Sequence, residues 1–164
     1  VVELLQNGKS LGRKQLKEFV AKFNTTYQPG TLEAVSFDES GKELGRSMIQ
    51  TASEETVLTV TPETTVLKAN GEDLAYIVVN VTDNEGIVKV LEEKTVHAKV
   101  EGAGMLQAVG SGSPRTTEKY TGTSFTTYHG RMVAVVRSGT ETGEIKVTIS
   151  AEGLAEKSIT LKVL

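Results

Sequence analysis

From Glu101 to Leu154 the chain is a series of short apolar runs broken repeatedly by glycine, and this feature most constrains the fold. The runs include Met105-Leu106, Met132 to Val136 and Ile145 to Ile149. The breaks include Gly102-Ala103-Gly104, Gly110-Ser111-Gly112, Gly130 and Gly143. Short apolar strands separated by frequent turn residues fit an antiparallel β-sandwich.

The same reading extends along the chain. Val1 to Gln6 and Lys9 to Gly12 flank Asn7-Gly8, a strong hairpin signal because both residues tolerate positive φ in a type I′ turn. Residues 13–23 are ambiguous: Leu16, Phe19, Val20 and Phe23 have helical spacing, while Phe19, Ala21 and Phe23 alternate as in a strand. A strand from Phe19 to Tyr27 is preferred. Pro29-Gly30 suits the centre of a type II turn. Strands follow at Thr31 to Phe37 and Glu43 to Gln50, separated by a turn at Asp38-Glu39-Ser40-Gly41.

The small polar stretch Thr51 to Glu55 predicts a domain boundary, giving segments 1–52 and 53–164. Further strands are expected at Val57–Thr61, Leu74–Thr82, Val96–Glu101, Arg131–Arg137, Glu144–Ala151 and Ser158–Val163. Asn70-Gly71, Asp83 to Gly86 and Thr140 to Gly143 supply turns between them. No helix is predicted. The second segment is long enough for a complete sandwich of about 100 residues. The first is not. A unit of that size buries only about 60% of its unfolded surface and is marginal alone.

Composition excludes several function classes. The chain has no cysteine, so disulfides, thiolate metal sites and cysteine nucleophiles are ruled out. A net charge of -3 provides no electrostatic footprint for nucleic acid. No apolar run approaches the ~18 residues of a membrane-spanning helix. The opening residues lack the pattern of a signal peptide, and the first residue is not methionine. The chain therefore reads as part of something longer or as a processed product. Any signal peptide directing it to the periplasm or outside the cell would lie upstream of Val1.

Candidate chemistry is sparse. Glu54-Glu55 and Glu92-Glu93 are adjacent pairs, and neighbours on a strand point to opposite faces. His97 and His129 are too few for a zinc site without cysteine, and no nucleophile elbow accompanies them. Asp73, Asp83 and Glu85 flank turns but lack calcium-loop spacing. Neither glycine triplet precedes a helix or ends in the Gly-Lys-Ser/Thr of a phosphate loop. No catalytic residue, metal or cofactor is therefore assigned.

The long polar stretch Gly110 to Tyr128 is the exception, since long irregular connections in compact domains are often functional. There Tyr120 or Tyr128 would stack on a sugar ring, and Arg115 or Glu118 would hydrogen-bond its hydroxyls. The competing reading, that the loop packs over the sandwich end or against the neighbouring domain, is preferred, because aromatics more often serve cores and interfaces.

Two motif sets carry a family resemblance. Glu101-Gly102-Ala103-Gly104-Met105-Leu106, Val109 to Pro114, Tyr128 to Ser138 and Gly143 to Leu154 resemble the immunoglobulin-like domain at the C-terminal end of many bacterial glycoside hydrolase family 2 enzymes, the β-galactosidase group. Val2 to Gly12, with Tyr27 to Val35, resembles the small immunoglobulin-like domain that follows the catalytic barrel of those enzymes. Leu67 to Ile77 continues the match. The resemblance implies two immunoglobulin-like β-sandwich domains, the first truncated at its N-terminus. It also implies a bacterial parent chain whose upstream (β/α)₈ barrel performs retaining glycoside hydrolysis with two carboxylates about 5–5.5 Å apart. This chain would then be a non-catalytic accessory region partnered by that barrel. An independent carbohydrate-binding module acting on oligosaccharide, and an adhesin-like surface repeat, are the alternatives.

Overall fold

The computed structural model describes residues 1–164 and is all-β, with thirteen strands and no helix. It divides into two compact units, Val1–Thr51 and Ala52–Leu164.

The first unit is one antiparallel sheet of β1 (Val2–Gln6), β2 (Lys9–Lys14), β3 (Thr31–Phe37) and β4 (Glu43–Gln50), in the order β2-β1-β3-β4. Asn7 and Gly8 take φ of 51° and 76°, as a type I′ hairpin requires. Asn7 also fastens the far end of the unit. Its Nδ2 donates to the Pro29 carbonyl at 3.0 Å, and its Oδ1 accepts from Thr31 N–H at 2.7 Å. Gly30, at φ 123°, lies so close to this side chain that a Cβ there would overlap it. The two turn signals read separately in the sequence are thus one joint.

The strand expected from Phe19 to Tyr27 does not form. Glu18 and Phe19 both take left-handed φ, 52° and 64°, and the chain reverses between Lys17 and Val20, which exchange both backbone hydrogen bonds. No extended run can cross such a reversal. Side chains hold the segment instead of a ladder. Lys14 Nζ donates to the Lys22 carbonyl and lies 4.9 Å from the centre of the Phe23 ring. Gln6 donates to the Thr26 carbonyl and accepts from the Thr25 hydroxyl. The sheet has no facing layer within the unit, and Val35 is its one fully buried apolar residue.

The second unit stacks two sheets. One holds β5 (Val57–Pro62), β7 (Leu74–Thr82), β11 (Arg131–Ser138) and β9 (Gly104–Gly110), in that order. The other runs β10 (Ser124–Thr126), β8 (Thr95–Gly102), β12 (Gly143–Ala151), β13 (Lys157–Val163) and β6 (Val66–Leu67). β5-β7-β11-β9 and β8-β12-β13 follow the ABED and CFG strand orders of a constant-type immunoglobulin sandwich, with β6 and β10 added at the edges.

The core follows from period-two alternation. Ala75, Ile77, Val79 and Val81 of β7 face Ile145, Val147 and Ile149 of β12 in one continuous apolar cluster. The chain changes sheet at Gly102-Ala103-Gly104, where β8 ends and β9 begins. A Cβ on Gly102 would overlap the Glu144 carbonyl. One on Gly104 would overlap the Ile145 side chain and lie 2.6 Å from the Arg137 carbonyl. These glycines allow a corner to form against the neighbouring backbone.

β6, β9 and β10 were not expected. β6 has only two residues and β10 only three. In β9, Gln107 is an extra residue opposite the Val135–Val136 step, so the strand's alternation breaks midway.

Candidate functional site

The polar stretch after β9 is built around β10. Of its candidate residues, Glu118 is the most tightly held. One carboxylate oxygen accepts from Thr126 N–H at 2.9 Å and Thr126 Oγ1 at 3.0 Å, and the other accepts from Thr116 Oγ1 at 3.1 Å. Its own N–H donates back to the Thr116 hydroxyl. Glu118 therefore ties the loop to β10.

Tyr120 lies at the open edge between the sheets. Its ring stacks on the fully buried Phe125 ring, with centroids 5.3 Å apart and planes 19° apart. Its carbonyl accepts from Val109 N–H. Gly110 leaves room for it, since a Cβ there would sit 3.0 Å from the Tyr120 ring. Tyr120 is nonetheless 54% exposed. Phe125 is the residue that sequence reasoning missed here. Its signal was a single apolar side chain inside a polar run, and it fills the core position next to Val96.

Tyr128 has different neighbours. It is half-buried, meets His129 edge-on at 4.2 Å, and lies over Gly112, where a Cβ would be 3.7 Å from its ring. Tyr128 and Arg131 exchange backbone hydrogen bonds across His129-Gly130, both at positive φ, which makes a second tight hairpin. Arg115 is exposed, and its backbone N–H reaches Ser113 Oγ at 3.5 Å. The structure brings Glu118, Tyr120 and Phe125 together around β10. It gives Tyr128 and Arg115 separate surroundings.

The carboxylates elsewhere are engaged locally. Asp83 is buried, and Ser53 N–H donates to one of its oxygens while Glu85 and Ile87 N–H donate to the other. The Ser53 N–H above all holds its carboxyl below the usual Asp range, against the opposing effect of burial. Asp38 repeats the pattern, chiefly through the Ser40 hydroxyl and then Lys42 N–H. Asp73 accepts from Lys68 N–H. Glu54-Glu55 and Glu92-Glu93 lie outside the strands, and His97 is exposed on β8. No three metal-ligating side chains converge.

Residues 58–160 match the glycoside hydrolase family 2 C-terminal domain 5 profile. The chain belongs to that family. Its residues 1–45 match a further profile, Domain of unknown function (DUF4982). A family 2 relative, the Bacteroides ovatus beta-galactosidase BoGH2A, is 31% identical over 157 residues, which are 94% of this chain but 18% of that protein. A glycosyl hydrolase family 2 crystal structure from Bacteroides cellulosilyticus superposes with a TM-score of 0.95 at 32% identity, covering 99% of this chain and 21% of that one. The structure of a family 2 beta-glucuronidase superposes with a TM-score of 0.90 at 26% identity, covering 99% of this chain and 17% of that one. The chain thus spans about a fifth of the family 2 relatives it matches.

Proposed function

We propose that this chain is a non-catalytic C-terminal accessory region of a family 2 glycosidase, β-galactosidase-like, that packs on or extends a catalytic barrel elsewhere in the longer chain. One observation carries the reading: the relatives align with nearly all of this chain and only about a fifth of themselves. The reaction of the longer chain would be retaining glycoside hydrolysis, which needs two opposed carboxylates flanking the scissile bond. Asp83, Asp38 and Glu118 do not offer such a pair, since they spend their oxygens on nearby N–H and hydroxyl groups. One relative is named a beta-galactosidase and another a beta-glucuronidase. A region common to both is a poor candidate for choosing the sugar, so in this reading sugar choice belongs to the barrel.

A second reading keeps the oligosaccharide contact proposed for Arg115, Glu118, Tyr120 and Tyr128. The exposed Tyr120 ring favours it, and the commitments of Glu118 weigh against it. Isothermal titration of this chain with galactosides and glucuronides, alongside Tyr120→Ala and Tyr128→Ala, separates the two. The accessory role predicts no saturable binding at millimolar sugar. Saturable binding lost in either variant would replace it with a carbohydrate-binding role.

A further inference from the structure

Glu18 and Phe19 pay a backbone cost that nothing in the unit returns. Both sit at left-handed φ in a two-residue reversal, where Asn-Gly is the favoured pair and a bulky aromatic is a genuine outlier. Phe19 is also 96% exposed. A strained backbone that holds an apolar ring wholly in water stabilises neither the turn nor the core. Leu16 and Val20 beside it are about half-exposed. Around this tip an open hollow of about 580 Å³ is lined by Lys14, Gln15, Lys17, Glu18 and Lys22, among others. Three lysines face one glutamate there, in a chain whose net charge is -3.

From this geometry we infer that the Lys17–Val20 turn is a docking tip. Phe19 inserts into an apolar pocket of a protein surface, and the lysine-lined hollow beside it receives a carboxylate from the rim of that pocket. The occupant is the catalytic part of the longer family 2 chain, so the inference rests on the accessory role proposed above. Burial of the ring on docking offsets the strain, and opposite charge sets its orientation.

The test compares the full-length protein with the 164-residue chain by hydroxyl-radical footprinting read by mass spectrometry. Phe19 is expected to oxidise several-fold more slowly in the full-length protein, while exposed Tyr27 in the same unit serves as the internal reference. In the full-length protein, Phe19→Gly should speed amide exchange across residues 14–22, and Lys17→Glu with Lys22→Glu should do the same. In the 164-residue chain, Phe19→Gly should leave Tm unchanged or raise it, because glycine takes positive φ without strain. Equal oxidation of Phe19 in both proteins would overturn the proposal. So would protection that appears only when soluble oligosaccharide is added, which would make the tip a sugar contact. Absence of a barrel from the longer chain sinks the accessory role, whereas equal oxidation with a barrel present sinks the docking alone.

Discussion

At Asp83, one short side chain organises three backbone N–H groups, from Ser53, Glu85 and Ile87. Because its folded pKa is depressed, the stability it contributes is present above the unfolded carboxyl value of about 3.9. That stability is lost as pH falls through the lower folded value. Acid unfolding followed by circular dichroism should therefore steepen below about pH 4. Asp83→Asn should unfold several degrees lower at neutral pH, because an amide presents one acceptor oxygen where the carboxylate presents two. It should also lose part of the acid dependence, and an unchanged acid limb would show that other carboxylates govern it. The Asp83-to-Gly86 turn was legible in the sequence, since Asp and Gly at those spacings mark turns. The donation from Ser53 was not, because nothing local marks a bond formed across thirty positions. Glu118 shows the same limit. Its charge suggested a ligand contact, while its oxygens serve Thr116 and Thr126.

Among elements, clean alternation made a strand legible, while β2 and β4, exposed throughout, were legible from the turns that bound them. β7 reads Leu74-Ala75-Tyr76-Ile77-Val78-Val79, with every second residue buried, and its sequence pattern already placed it. β9 carries a bulge and terminal glycines, so its pattern is interrupted. The Phe19–Ala21–Phe23 alternation misled for the opposite reason: it has a strand's period, but Ala21 and Phe23 are only partly buried, Phe19 is exposed, and a left-handed reversal occupies its first residue. The glycine-punctuated region owes its fold to the sheet change at Gly102-Ala103-Gly104. Gly104→Ala should cost about 1–3 kcal/mol through overpacking against Ile145 and the Arg137 carbonyl. Gly112→Ala, whose Cβ would meet only the Tyr128 ring at 3.7 Å, should be much milder. Urea unfolding of both variants checks the ordering, and equal losses would contradict the corner's role.

For the whole molecule, the two units differ in how they are held. The second closes a continuous core between its sheets, from Ile77 and Val79 to Ile145 and Val147. The first depends on Asn7, on the ion pairs of Glu3 with Arg13 and of Glu33 and Glu43 with Arg46, and on one buried valine. Exposed ion pairs of this kind contribute little each. The sandwich architecture of the second unit was legible because a two-sheet core imposes period two along most strands. The single-layer character of the first was legible only as a shortage of residues. In the proposed account all chemistry lies in the rest of the longer chain.

The most direct measurement is hydrolysis of 4-nitrophenyl β-galactoside and β-glucuronide by the purified 164-residue chain, beside the full-length protein. The account predicts turnover by the full-length protein and none above the uncatalysed rate by this chain. Turnover by the 164 residues alone would contradict it.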